Sequence, residues 1–336
     1  MSSPTNTTGR RLWRVLRFGV CAVGLWWVLS RLNWNRIGEA WSACDRTWVA
    51  LSFLIFFPTI ILQAARLVLM LRAQGISVGF WKSLKLSCTG NFFSHFVPAG
   101  LVGGDLVKAY YVAQHTPQKT EAVAAVVLDR LFGLFGFVTF AAVGAAIKLN
   151  ETAVGVVPYL VALLLAVVAV IAVAWSARLR ALLGIDKIVA WIRLRGRLRR
   201  LVVAASRLRE HVGISIASFA ATLLAQSIIL AAFSVAAIGL GMRADWVGYY
   251  AFLSLSLLIA AVPISPGGLG TMEAAMMYFL VGGGLGNGEQ VLLLALTMRL
   301  IQFVGALPGG FFLMAGMCRP DAAELEQLRG DTMMRG

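Results

Sequence analysis

Asp129 and Arg130 stand side by side in the apolar run VVLDRLFGLFG, and Arg299 stands in the similar run LTMRLIQFVG. A charge at the centre of a lipid-embedded helix costs roughly 2.5–3.5 kcal/mol on the insertion scale. Each of these side chains should therefore face a protein interior and have a partner. Neighbouring positions on a helix diverge by about 100°, so Asp129 and Arg130 are poor partners for one another. Two readings stand for the arginines: ties between helices, or a planar guanidinium grip on a phosphate. Two more carboxylates follow glycine clusters. Asp105 comes after Gly103 and Gly104 in FVPAGLVGGDLVKAYY, with Lys108 one turn on, and Glu273 comes after Gly267, Gly268 and Gly270 in VPISPGGLGTME. Helices restarting after those glycines would aim free N–H groups and positive dipole ends inward, which suits an anion. The two carboxylates read either as first-turn acids stabilising those restarts, or as a site for a proton or a cationic group.

The remaining polar residues give weaker signals. Asn91, Ser94 and His95 precede the first glycine cluster, and Ser265 sits inside the second. Asn91 is expected to satisfy backbone opened at the break. Ser94 and His95 are consecutive and do not form a nucleophile–base pair. Arg66, with Gln63 a turn before it, is expected to snorkel near the cytoplasmic face. His95, His115 and His211 show no metal-ligand spacing with one another or with the four cysteines, so no metal and no cofactor are expected. There is no P-loop and no dinucleotide fingerprint, which leaves ATP-driven pumping by this chain alone without support.

The elements that must position these residues are membrane helices. The 336 residues are 59% hydrophobic and 13% charged, with a mean hydropathy of +0.81, whereas soluble domains carry about 25% charged residues. Full spans are predicted at 12–30, 48–71, 121–148, 154–176, 212–241 and 289–317, from apolar stretches near the roughly 20 residues needed to cross a bilayer. Regions 80–113 and 246–285 are each interrupted, at Pro98 and at Pro263 and Pro266. Such backbone persists in a membrane only when buried in protein or lining a cavity, so a re-entrant broken hairpin is expected in each. A pair of complete short helices is the competing reading. The fold class is thus all-α: a polytopic helical membrane protein of six spans and two broken hairpins, with one membrane domain over 1–336.

Charge sets the expected orientation. Arginines and lysines crowd the N-terminal flank and the 178–211 segment, so both termini are expected in the cytoplasm. The net charge of +15 then follows from positive-inside bias, and nucleic acid is not an expected partner. The basic segment itself reads as an orientation signal and a contact for anionic lipid headgroups. The N-terminus reads as an uncleaved first helix rather than a removed signal peptide.

The glycine-rich stretches form a repeat. Pro98 and Pro263 are 165 residues apart, Asp105 and Glu273 168, and Arg130 and Arg299 169. Two halves are therefore expected, 48–148 and 212–317, joined by helix 154–176 and the basic segment, with a short tail over 318–336. Following the predicted crossings, the second half enters the membrane in the opposite sense to the first, which is the inverted repeat of many transporters.

Taken together, NFFSHFVPAGLVGGDLVKAYYV, the DRLFGL stretch and PISPGGLGTMEAAMMYF resemble the lysylphosphatidylglycerol synthase transmembrane-region family, or flippase-like domain family, from about residue 15 to 317. The resemblance implies an inner-membrane protein related to the flippase part of the lysyl-lipid synthase. It carries family positions onto Asn91, Pro98, Gly103, Gly104, Asp105, Asp129, Arg130, Pro263, Pro266, Gly267, Gly268, Gly270 and Glu273. Lys108 stands where the family usually has arginine, and Met272 where an arginine often precedes the acid. About 19 residues follow residue 317, too few for an aminoacyl-transferase domain, so lysyl-lipid synthesis is not expected. The expected function is a lipid translocator, not an enzyme, moving a phosphate-bearing lipid that could be aminoacylated or glycosylated. Its partners would be that lipid and anionic lipids at the basic segment, with a homo-oligomer left open. A membrane-embedded transferase or an accessory protein acting on a lipid phosphate is the alternative.

Overall fold

A computed structural model describes residues 44–96, 100–147, 207, 211–262, 265 and 268–315, all of whose regular structure is helical. The predicted spans 12–30 and 154–176, the basic segment apart from Arg207 and His211, and residues Pro98, Pro263, Pro266 and Gly267 lie outside this set.

The described chain runs α1 Arg46–Phe56, α2 Pro58–Ala73, α3 Phe80–Phe96, α4 Gly100–Gln114, α5 Lys119–Ile147, α6 Val212–Gly239, α7 Trp246–Ala261, α8 Thr271–Met276 and α9 Gly288–Met314. Among the described residues, four stretches are long and apolar enough to cross a membrane: 46–73, 119–147, 212–239 and 288–314. These coincide with four of the six predicted spans. The first is divided at Phe57, because Pro58 has no N–H to continue the ladder and instead opens α2. Asp45 caps α1 by accepting from Thr47 N at 2.9 Å, and Asn287 with Gln290 forms a capping box that starts α9.

The two interrupted regions are helical hairpins. Limbs α3 and α4 have 17 and 15 residues, which rise only about 25 and 22 Å against a hydrocarbon core of about 30 Å. In the second hairpin, the 16-residue α7 is followed by α8 and a π-helical turn over Met277–Val281. The first hairpin corrects one expectation. Gly103 and Gly104 do not interrupt the chain but lie inside α4, which already begins at Gly100. Their type is explained by packing: a side chain at Gly104 would run into the Gly90 carbonyl and the Ser94 hydroxyl of α3. The second cluster does interrupt the chain. Gly268 and Gly270 have φ of 68° and 80°, left-handed values that glycine adopts without a Cβ penalty.

The packing is reciprocal. Leading helices α2 and α6 pack together, α3 of the first hairpin packs on α9, and α7 of the second hairpin packs on α5. The first hairpin thus seats on α9 and the second on α5. Two apolar clusters make the core, one around Leu67, Met70, Leu71 and Leu86 and one around Phe233, Tyr249, Met276 and Met298, the second also taking in Ala141 and Ala145 of α5. On α9, Leu296, Leu300, Leu307, Phe311 and Met314 share an exposed face. That spacing presents one continuous stripe to lipid.

Candidate functional site

Where hairpins and long helices meet, a cavity of about 240 Å³ is lined by residues from all nine helices named above. Its charged lining consists of Arg66, Lys108, Arg130 and Arg299 with Asp105 and Asp129.

Asp129 is 5% exposed, and both of its oxygens are bonded. Arg66 donates from Nε to Oδ1 at 2.6 Å, and Lys108 donates from Nζ to Oδ2 at 3.0 Å. Helices α2, α4 and α5 are thereby joined around one carboxylate. Arg66 also donates from Nη1 to Thr222 Oγ1 on α6 at 3.2 Å. Arg130, one position on, turns away and donates from Nη1 to Asp105 Oδ2 at 2.6 Å. The divergence of neighbouring helical positions accounts for these separate partners. The Arg130–Asp105 pair is the more open one, with side chains 25% and 31% exposed.

A second arginine–carboxylate pair joins α9 to α8. Arg299 on α9 donates from Nε to Glu273 Oε1 at 3.1 Å and from Nη2 to the Gly268 carbonyl at 2.9 Å. Glu273 Oε2 accepts from Gly270 N at 2.7 Å, so this acid caps its own helix while holding the arginine. The two partners are 26 positions apart here and 25 in the first half.

Four expectations are corrected at this site. Arg66 does not snorkel: it is 7% exposed and bound to Asp129. Asp105 is not a first-turn acid, since it is the sixth residue of α4. Among the described residues Asn91 meets a side chain rather than backbone, donating from Nδ2 to Gln63 Oε1 on α2 at 3.3 Å. The expected free N–H groups of Gly268 and Gly270 are engaged internally, with Ser265 O and Glu273 Oε2. Ser265 Oγ lies 3.0 Å from Thr271 Oγ1. Ser265, Gly268, Gly270 and Glu273 therefore shape and brace the turn behind Arg299, whereas Asn91, Asp105, Lys108, Asp129, Arg130 and Arg299 face the cavity. Gly103 and Gly104 are buried beside it.

Sequence reasoning missed Gln226 of α6. It lines the cavity at 7% exposure, and its Nε2 donates to the Gly133 carbonyl at 3.0 Å. A signal existed: Ser218, Thr222 and Gln226 recur every four residues in an apolar helix, which places three polar side chains on one face, and all three are buried.

The lining suits an anion. Four cations meet two carboxylates, and Glu273 stands behind Arg299, which leaves one positive charge in excess among the described residues when His95 is counted neutral. Guanidinium groups offer planar paired donors that match phosphate oxygens.

Comparison with known proteins places this architecture. Residues 14–309 match the model of the lysylphosphatidylglycerol synthase TM region. A UPF0104 membrane protein of Pyrococcus horikoshii is 23% identical over 327 residues, covering 87% of this chain and 95% of the relative. The chain belongs to the lysylphosphatidylglycerol synthase TM region family of membrane proteins.

Proposed function

We propose that this protein is a lipid translocator that moves a phosphate-bearing headgroup between leaflets while the acyl chains stay in lipid. The observation behind this reading is the cavity itself: formed where two hairpins and four spans meet, lined by Arg130 and Arg299, and positive in net charge among the described residues. Arg130 is the first phosphate contact, because its pairing with Asp105 is single and the more open of the two arginine–carboxylate pairs. Arg299 meets the same group from the other half. Asp105, released from Arg130 as phosphate arrives, faces a cationic substituent or a coupling proton.

The two halves are inverted repeats in this reading, and the reciprocal seating of each hairpin on the other half's closing helix supports it. Alternating access then follows from the two arginine–carboxylate pairs opening in turn. The protein sits in the inner (plasma) membrane with both termini in the cytoplasm and anionic lipid at the basic segment. No chemical step is needed. A transferase using Asp105 or Asp129 as base draws no support from carboxylates held by cations, Asp105 by Arg130 and Asp129 by Arg66 and Lys108.

The test is movement of a fluorescent phospholipid across the bilayer of liposomes containing purified protein. Wild type should accelerate it and Arg130→Ala should abolish the acceleration. Equal movement in wild-type, variant and empty liposomes rejects the proposal.

A further inference from the structure

The hydrogen bonds of Arg299 differ in kind from those of the other cavity cations. Its acceptors are the Gly268 carbonyl and the Glu273 carboxylate, which belong to the turn that opens α8. Each acceptor has a second donor inside that turn. Thr271 Oγ1 donates to the Gly268 carbonyl at 3.1 Å, and Gly270 N donates to Glu273 Oε2 at 2.7 Å. Ser265 Oγ, 3.0 Å from Thr271 Oγ1, closes the turn on itself. When Arg299 lets go, neither acceptor loses its last donor, so the penalty for an unmet buried polar group does not arise.

The other pairs lack this property. Asp129 is bonded by Arg66 and Lys108, each on another helix, and Asp105 by Arg130 on α5. Among the described residues, no donor from the carboxylate's own helix takes over when those cations leave. The hairpins also differ in their seating. The first is keyed through glycine on both sides: a Cβ at Gly104 would meet the Gly90 carbonyl, and a Cβ at Gly309 of α9 would meet the Cys88 carbonyl. In the second, α7 is keyed to α5, where a Cβ at Gly144 would meet Ala251. The turn beyond α7 rests on its own limb, Gly268 against Ala260, and Arg299 ties it to α9.

We infer that Arg299 is a releasable latch, which holds the Gly268–Glu273 turn to α9 when no anion is bound and frees it when an anionic lipid headgroup draws the guanidinium away. The two arginine–carboxylate pairs then do different work. Arg130 receives the headgroup at a hairpin that stays in place, and Arg299 converts its arrival into movement of the second hairpin's turn. The internal bonds of the turn keep its shape while it moves. This inference rests on the translocator reading and names the element that moves in it.

The test is amide hydrogen exchange of the full-length protein in detergent, with and without dihexanoyl phosphatidylglycerol. Exchange is followed at residues 268–274 and, in the first hairpin, at 85–94 and 104–110. In wild type the lipid should speed exchange at 268–274 about tenfold, the equivalent of one charge-assisted hydrogen bond, and leave the first hairpin unchanged. Arg299→Ala should show the faster rate without lipid and respond to it no further. Arg130→Ala without lipid should keep wild-type protection at 268–274. Should Arg299→Ala not fold, the wild-type response to lipid decides alone. Unchanged or slower exchange at 268–274 on adding lipid overturns the inference. So does equal acceleration in both hairpins, wild-type protection in Arg299→Ala, or acceleration in Arg130→Ala equal to that in Arg299→Ala. Lipid movement in liposomes is read separately. Fast movement by a protein whose turn stays protected overturns the latch and leaves the translocator standing, whereas a turn that opens in a protein that moves no lipid does the reverse.

Discussion

At the scale of single residues, the site separates groups that hold the protein together from groups that are available to a ligand. Asp129 belongs to the first kind. Its removal leaves Arg66 and Lys108 buried and repelling one another, and breaking a buried pair costs about 3–5 kcal/mol. Asp129→Ala should therefore lower the thermal midpoint in detergent sharply and reduce recovery of monodisperse protein. Arg130 belongs to the second kind. Its pair with Asp105 is more open, a quarter to a third exposed, so losing it costs less than breaking the Asp129 cluster. Arg130→Ala should lower the thermal midpoint less than Asp129→Ala does. A large loss of stability in Arg130→Ala, equal to that of Asp129→Ala, would show that both residues are structural ties.

At the scale of elements, glycine is the informative residue. Gly104 lets α4 approach α3 so closely that any Cβ there meets the Gly90 carbonyl and Ser94. Gly104→Ala should separate the limbs and destabilise the protein by about 1–3 kcal/mol, read as a lower thermal midpoint, whereas Gly213→Ala, with open space around it, should have little effect. The same residue marks where the sequence misleads. Four of the six predicted spans match described helices because apolar run length reports directly on what can cross lipid. A glycine pair, however, has one composition whether it breaks a helix or admits a neighbour. Gly103 and Gly104 do the second, and Gly268 and Gly270 the first. Arg66 was hidden for a different reason. Its partner Asp129 lies 63 positions away, and an arginine some turns from a span's end can equally reach the interface. Asp129, Arg130 and Arg299 were legible because charges deep in apolar runs need partners wherever the chain leads. The turn glycines were legible as a turn, but the engagement of their N–H groups with Ser265 and Glu273 is a property of the folded turn.

At the scale of the whole molecule, the account requires the two hairpins to open toward opposite faces. Gly79, before the first hairpin, and Gly282, at the end of the second, are exposed and have no neighbour within 4 Å of an added Cβ. In a background lacking the native cysteines, Gly79→Cys should react with a membrane-impermeant maleimide only from the cytoplasmic side. Gly282→Cys should react only from the other side. Labelling of both from one side would contradict the inverted arrangement. The central claim, that the shared cavity conducts a lipid headgroup, is tested most directly in liposomes by headgroup-labelled phospholipid whose outer-leaflet fraction is quenched. The comparison is among wild type, Arg130→Ala, Arg299→Ala and the lipid-facing control Leu300→Ala, which lies on the exposed stripe of α9. Wild type and Leu300→Ala should exchange rapidly, and both arginine variants at the empty-liposome rate. Exchange in wild type no faster than in empty liposomes, or as fast in both arginine variants as in wild type, would contradict it.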